Sequence, residues 1–227
     1  MRRVLDAVLF DLDGVLTSTT ALHIDCWKQA FDPLLARLGQ ASFDPGREYA
    51  DHVDGKPRSD GVRDFLRSRG VELPEAQVVE IGDRKQVLVE RALVRDGVQA
   101  FPGSERWVRE LRAQGVRTAV VTSSANAPQV LRAAGIDDAF DEVVDGGEAA
   151  RLALRGKPAP DGFLEASRRL GVPAHRAAVV EDALAGVAAG CAGDFGLVIG
   201  VARNVAHSEL RAAGAHVVVD DLGELAA

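Results

Sequence analysis

Residues 7–17 read Ala-Val-Leu-Phe-Asp-Leu-Asp-Gly-Val-Leu-Thr, and their reading decides the fold. An apolar run, begun upstream by Val4 and Leu5, delivers two carboxylates one residue apart, Asp11 and Asp13, into a turn at Gly14. Such a run is expected to be a buried strand. In an open α/β sheet, ligands bind outside the carboxyl ends of the strands. Asp11 and Asp13 are therefore a candidate nucleophile and a candidate acid, presented together. The pattern alone also reads as a solvated turn. A calcium loop begins the same way, but it needs glycine at its sixth position and glutamate at its twelfth. Leu16 and Leu22 stand there.

Downstream, apolar β-branched runs alternate with amphipathic segments. Strands are predicted at 116–121, 142–144, 177–180, 197–201 and 216–219, and helices at 127–134, 160–170 and 183–189. This alternation predicts an α/β fold, a Rossmann-like, mostly parallel sheet with helices on both faces. Residues 17–95 differ, because they carry no strand pattern and repeat helix-start signals. Asp32-Pro33 and Asp44-Pro45 each place a capping residue before a proline. Ser59 is expected to cap a helix over 61–69 that Gly70 ends, and Pro74 to open another through Val79. The expected organisation is a core of 1–16 and 96–227, interrupted by an all-helical cap domain over 17–95.

Composition bounds the function. The 227 residues are 47% hydrophobic and 27% charged, ordinary for a globular protein. No apolar stretch approaches the ~20 residues of a membrane helix. Met1, Arg2 and Arg3 resemble the start of a signal peptide, but Asp6, Asp11 and Asp13 break the apolar run that should follow. Two cysteines, Cys26 and Cys191, make no disulfide framework, so a cytoplasmic location is expected. A net charge of −7 argues against nucleic acid or an anionic membrane as partner. A monomer is expected.

Three further elements give the two aspartates partners. Thr122 and Ser123 follow a predicted strand, where hydroxyls and free N–H groups can hold phosphate oxygens. Lys157 lies in Gly-Lys-Pro-Ala-Pro-Asp, a loop stiffened by two prolines before a helix. Glu181-Asp182 ends a strand and opens a helix carrying Gly186 and Gly190, whose spacing would let that helix approach the sheet. Singly, each has a structural explanation: a polar strand end, a solvated lysine, an acidic cap. Together and in this order they resemble the four motifs of the haloacid dehalogenase superfamily of phosphotransferases. The resemblance spans nearly the whole chain. It implies Asp11 as the nucleophile that forms an aspartyl-phosphate, Asp13 as general acid and base, and Thr122 and Lys157 as the phosphoryl grip. It also implies Mg²⁺ bound by Asp11, the Asp13 carbonyl, Glu181 and Asp182.

The helical segment narrows the resemblance to the β-phosphoglucomutase group. Thr19, His23 and Trp27 stand at helical spacing, on one face, with His23 ten residues after Asp13. Gly55-Lys56-Pro57-Arg58 resembles the cap loop whose arginine holds the second phosphate of a sugar bisphosphate. Lys85 resembles that group's cap lysine, and Ser124 and Asn126 its loop after the second motif. On the residues alone, Trp27 with Ala30, Phe31 and Leu34 also reads as a core stripe, His23 as an ordinary histidine, and Arg58 and Lys85 as solvated charges. Two positions depart from the group: Ser18 stands where it has aspartate, and Ala125 where it has lysine. The implied substrate is a phosphorylated sugar or small phosphomonoester. The resemblance implies interconversion of β-D-glucose 1-phosphate and glucose 6-phosphate first, and hydrolysis second. Dehalogenation and phosphonate cleavage are disfavoured, because Asp13 is present and no lysine is placed for a Schiff base. A silent sensor on the same fold has no need of Asp11.

Overall fold

A computed structural model describes residues 5–226; Met1, Arg2, Arg3 and Val4, read above as a leader-like start and the head of the apolar run, lie outside the described residues. Six strands form one parallel sheet: β1 (Ala7–Phe10), β2 (Arg117–Val121), β3 (Glu142–Val144), β4 (Ala177–Glu181), β5 (Leu197–Val201) and β6 (Val217–Val219). Their order is β3-β2-β1-β4-β5-β6, with Phe10 in register with both Val120 and Val180. The chain works outward on one side of β1 and then returns to its other side at β4. The carboxyl ends of β1 and β4 therefore flank the switch point of the topology, where open α/β sheets bind ligands.

Apolar continuity in the central strands follows from burial on both faces. Val8, Phe10, Val120 and Val180 face one layer, which includes Trp107, Val130 and Leu131 from α4 (Pro102–Ala113) and α5 (Ala127–Ala134). Ala7, Leu9, Val121 and Val179 face the other, built on Phe163 and Leu170 of α7 (Asp161–Leu170) and Ala189 of α8 (Leu184–Ala192). Two short helices complete the sheet layers: α6 (Gly146–Arg151), whose N-cap Asp145 accepts the Glu148 N–H at 2.8 Å, and α9 (His207–Ala212).

Between β1 and β2 the chain forms α1 (Thr20–Arg37), a π-helical turn (Tyr49–Val53), α2 (Arg58–Ser68) and α3 (Glu75–Asp96). These helices share their own apolar cluster, in which Trp27, Phe31, Phe43 and Phe65 stack and cross with ring centroids 4.1–5.4 Å apart. The two connecting segments run side by side, Ser18 N–H donating to the Gln99 carbonyl at 3.0 Å and Phe101 N–H to that of Leu16 at 2.9 Å.

Four expectations about this segment are corrected. Asp32 caps nothing, because Pro33 lies inside α1; the Asp32 carboxylate pairs with Lys28 at 2.8 Å and receives the Phe43 N–H at 2.8 Å, fastening the returning chain. Ser59 sits inside α2, whose N-cap is Pro57. The helix opened by Pro74 runs to Asp96 rather than Val79, because its buried line continues through Ile81, Lys85, Val89, Ala92 and Leu93. Asp44 accepts the N–H groups of Gly46 and Arg47 at 2.9 and 3.2 Å, closing the turn before the π-helical segment, whose N-cap is Glu48.

Candidate active site

Asp11 is the first residue beyond β1, and its N–H still donates to the Val180 carbonyl at 2.9 Å, as a further rung of the ladder. The chain then turns at once. Gly14 adopts φ +83° and its N–H bonds the Thr17 carbonyl at 2.8 Å, while a Cβ there would lie 1.9 Å from Asp182 Oδ2. Only glycine supplies both that conformation and that clearance.

From the α7 side, Lys157 Nζ reaches Asp11 Oδ1 at 2.5 Å, Glu181 Oε1 at 2.5 Å and the Val121 carbonyl at 3.2 Å. Glu181 Oε2 accepts the N–H groups of Asp182 and Ala183 at 3.1 and 3.2 Å. Gly186 makes room for this carboxylate, since a Cβ there would sit 1.8 Å from Glu181 Oε1. Gly190 has the role expected of it, with its Cβ position 3.1 Å from Val179 and Val198 of the sheet.

One ligand oxygen each from Asp11, Glu181 and Asp182 lie within 4.8 Å of one another, all three residues being buried. Burial raises the Asp11 carboxyl well above its ordinary value against the pull of Lys157, and Glu181 and Asp13 push the same way. Burial, then the nearby Asp54, Glu181 and Asp11 carboxylates, raises Asp182 likewise. Lys157 keeps its charge despite burial because Asp11 and Glu181 face it. One lysine is thus shared among three closely packed acids. A small divalent cation with oxygen ligands fits this set.

Asp13 is held from the helical segment. Thr19 Oγ1 donates to Asp13 Oδ1, and His23 Nε2 lies 3.2 Å from the same oxygen. Lys85 Nζ lies 2.8 Å from His23 Nδ1 and 5.1 Å from the Trp27 ring centroid. An ammonium only donates, so His23 Nδ1 accepts and Nε2–H donates to Asp13. Burial opposes charge on Asp13, but His23, Thr19 and Lys85 outweigh it and hold the carboxyl down to about 2. Burial brings Lys85 down to about 8.

The loop after β2 carries the hydroxyls. Thr122 Oγ1 accepts the Ser124 N–H at 3.1 Å, Ser124 Oγ the Asn126 N–H at 3.2 Å, and Ser123 Oγ donates to the Gly55 carbonyl of the helical segment at 2.7 Å. A cavity of about 510 Å³ lies between the two halves, with Asp11, Thr122 and Lys157 among its lining on the sheet side and His23, Arg58 and Lys85 on the other. Asp13, Trp27, Gly55, Ser123, Ser124 and Asp182 also line it. Thr19, Asn126 and Glu181 do not: Thr19 lies beneath Asp13, Asn126 is tied to Gln86, and Glu181 backs Lys157. Trp27 serves both readings of it, packing in the helical core while lining the cavity.

Tyr49, Asp54 and Gln86 are among the lining residues that escaped the sequence reading. Tyr49 bonds the Asp54 carboxyl, which burial, with Glu181 and Asp13 close by, raises to about 7. Gln86 joins Arg58 to Asn126. Asp54 stands next to Gly55 and Gln86 next to Lys85, and adjacency to those residues was the signal available.

Residues 5–194 match the family of haloacid dehalogenase-like hydrolases. The chain is 45% identical over 237 residues to the β-phosphoglucomutase of Mycobacterium bovis, covering 96% of this chain and 90% of that one. It is 32% identical to the β-phosphoglucomutase of Bacillus subtilis over 90% and 87% of the two chains. Among solved structures, CbbY from Rhodobacter sphaeroides in complex with xylulose-(1,5)bisphosphate is similar with a TM-score of 0.78 and 27% identity, covering 98% of this chain and 96% of that one. With these matches, an aspartate pair at the switch point and a helical cap over it, the chain belongs to the haloacid dehalogenase superfamily of phosphotransferases, in its β-phosphoglucomutase-like branch.

Proposed function

We propose that this enzyme interconverts β-D-glucose 1-phosphate and glucose 6-phosphate through an aspartyl-phosphate on Asp11. One observation carries the reading: a single cavity is lined by Asp11, Thr122 and Lys157 at one end and by a further cationic group, Arg58, on the facing helical segment. Identity of 45% to a β-phosphoglucomutase supports the same choice of substrate. A mutase must hold a bisphosphorylated sugar by either end, and arginine's planar fork suits a phosphate.

In this reading an Asp11 carboxylate oxygen attacks the phosphorus of a sugar bisphosphate, and the bond from phosphorus to the sugar oxygen breaks. Asp13, ionised in the resting site, takes the proton of the sugar hydroxyl that attacks the aspartyl-phosphate, and gives it to the oxygen that departs when Asp11 attacks the bisphosphate. General acid–base help of this kind is typically worth ~10² to 10⁴-fold. Lys157 and Thr122 hold the phosphoryl oxygens during in-line transfer. Asp11, Glu181 and Asp182, with the Asp13 carbonyl, would hold a divalent cation, Mg²⁺ in this reading, which when bound neutralises charge between carboxylate and phosphate. The helical segment covers the cavity and keeps water from the aspartyl-phosphate. Among the described residues no helix is long and apolar enough to cross a membrane. The reading places the enzyme in the cytoplasm as a monomer without nucleic-acid or membrane partners.

Hydrolysis of sugar phosphates is the second reading, favoured by Ala125, which lines the cavity beside Ser124 and brings no charge to it. The test is incubation with Mg²⁺, β-glucose 1-phosphate and a trace of β-glucose 1,6-bisphosphate, following glucose 6-phosphate and free phosphate together. Glucose 6-phosphate with little phosphate supports the mutase. Phosphate without glucose 6-phosphate supports the hydrolase.

A further inference from the structure

Gln86 belongs to none of the motifs, yet it is the residue through which the helical segment's Arg58 meets the sheet. Arg58 Nη1 donates to Gln86 Oε1 at 2.8 Å, and Gln86 Nε2 donates to Asn126 Oδ1 at 2.6 Å and to Glu90 Oε1 at 2.9 Å. The direction of the chain is forced. Guanidinium groups only donate, so Gln86 must turn its oxygen to Arg58 and its amide N–H to Asn126, which must offer its own oxygen. Asn126 N–H is in turn fixed by Ser124 Oγ at 3.2 Å, so the run passes from α2 through α3 into the loop after β2. Ala125, next to it, has no side chain able to bridge the halves. The Ser123–Gly55 bond also crosses, but it involves no cation.

We propose that Gln86 is a positioning residue that couples closure of the helical segment to the grip on the distal phosphate. With Gln86 bonded to Asn126, Arg58 is held facing the cavity; with that bond broken, both the halves and the guanidinium lose a constraint. The proposal rests on the reading of Arg58 as the holder of a second phosphate. Losing one interfacial hydrogen bond of ordinary strength should raise the open population about fivefold.

The test uses Gln86→Leu, which keeps bulk and removes the bonds to Arg58, Asn126 and Glu90, and Asn126→Ala, which cuts the link from the sheet side. Hydrogen exchange on the substrate-free protein reads closure directly. Exchange about fivefold faster over 54–58 and 122–126, with the amides of β1 and β4 unchanged, is the expected result. In the sugar-phosphate assay the same variants should raise KM for β-glucose 1,6-bisphosphate and the ratio of phosphate release to isomerisation. The double variant should add little to either single one. Wild-type exchange in both loops, or fully additive effects, would overturn the proposal. Should Gln86→Leu speed exchange in β1 and β4 as well, Asn126→Ala decides alone. A wild-type enzyme that makes no glucose 6-phosphate refutes the mutase reading, and loop exchange still decides the role of Gln86.

Discussion

Replacing Gly156 with alanine adds one methyl group where the two halves of the molecule touch. The three atoms nearest to that methyl would all belong to Pro57 of the helical segment: Cγ at 1.8 Å, Cδ at 2.4 Å and Cβ at 3.3 Å. Ordinary carbon contacts lie at ~3.5–4 Å, so the Pro57 loop must retreat by about 2 Å. A proline ring cannot swing aside as a long side chain does. The loop is also pinned at Gly55, where a Cβ would lie 2.9 Å from Ala183 Cβ. The least costly relief is therefore opening of the helical segment. Overpacking of this sort costs about 1–3 kcal/mol. That converts to a roughly 5- to 150-fold fall in the closed population. The assay is steady-state isomerisation beside a thermal melt. Isomerisation kcat/KM should fall within that range while the melting temperature stays within about 2 °C of wild type, because the methyl meets the helical segment first. A folded variant with wild-type kcat/KM would refute the claim that catalysis needs this contact. A large drop in melting temperature would show instead that the methyl disturbs the sheet domain.

Asp11→Asn should abolish turnover and aspartyl-phosphate formation, measured as acid-stable label from phosphorylated substrate. Asp13→Asn should melt near wild type but lose about 10²- to 10⁴-fold in kcat. Lys85 sheds its proton at about 8 in the folded protein, against 10.5 ordinarily, so its charge is present below pH 8 and lost above it. Isomerisation kcat/KM should therefore fall on an alkaline limb near pH 8, and Lys85→Met should lack that limb while being slower at neutral pH. Away from the site, Arg168 and Arg169 hold Glu165 down to about 2 from 4.5. A depressed carboxyl stabilises above its unfolded value, and that stabilisation is lost as pH falls through about 4.5 to 2. The melting-temperature gap between wild type and Glu165→Gln should accordingly be full at pH 7 and close toward pH 2.

The central strands were legible because they are short and buried on both faces, so 7–10 and 177–180 each show as an uninterrupted apolar run. Residues 197–201 read as a strand and form β5 with the same limits. Asp11 and Asp13 were legible because they follow β1 directly. Of α3 only the opening at Pro74 was legible and not its length, since its outer face carries Glu80, Asp83, Arg84, Glu90 and Arg91. Its inner face divides, Val78 and Ile81 joining the helical cluster while Val89, Ala92 and Leu93 join the sheet's. Neither half alone shows enough helical period. Asp32-Pro33 misled for a different reason: local chemistry favoured a helix start, but packing of Phe31, Leu34 and Leu35 carried the helix through the proline. Tyr49, Asp54 and Gln86 act across the interface between the halves, and no local pattern encodes which residues meet there.

On the proposed function, that interface, rather than Asp11 and its neighbours, is what separates transfer to sugar from transfer to water. In the proposed reading Asp11, Thr122, Lys157 and the acidic set do the same work in either reaction. Asp13, however, sits in the turn after β1, while the groups that keep it ionised, His23 and Lys85, stand on α1 and α3. If the helices swing away, Asp13 loses the hydrogen bond and the positive charge that outweigh its burial, and its carboxyl rises from about 2 toward its ordinary value. The cavity then also admits water. On that reading closure does two things at once: it excludes the competing nucleophile and sets the proton affinity of Asp13. Each bond across the interface, Ser123 to Gly55 and Gln86 to Asn126, shifts both in the same direction. A variant weakened there should lose isomerisation and gain hydrolysis together, with Asp11 chemistry intact.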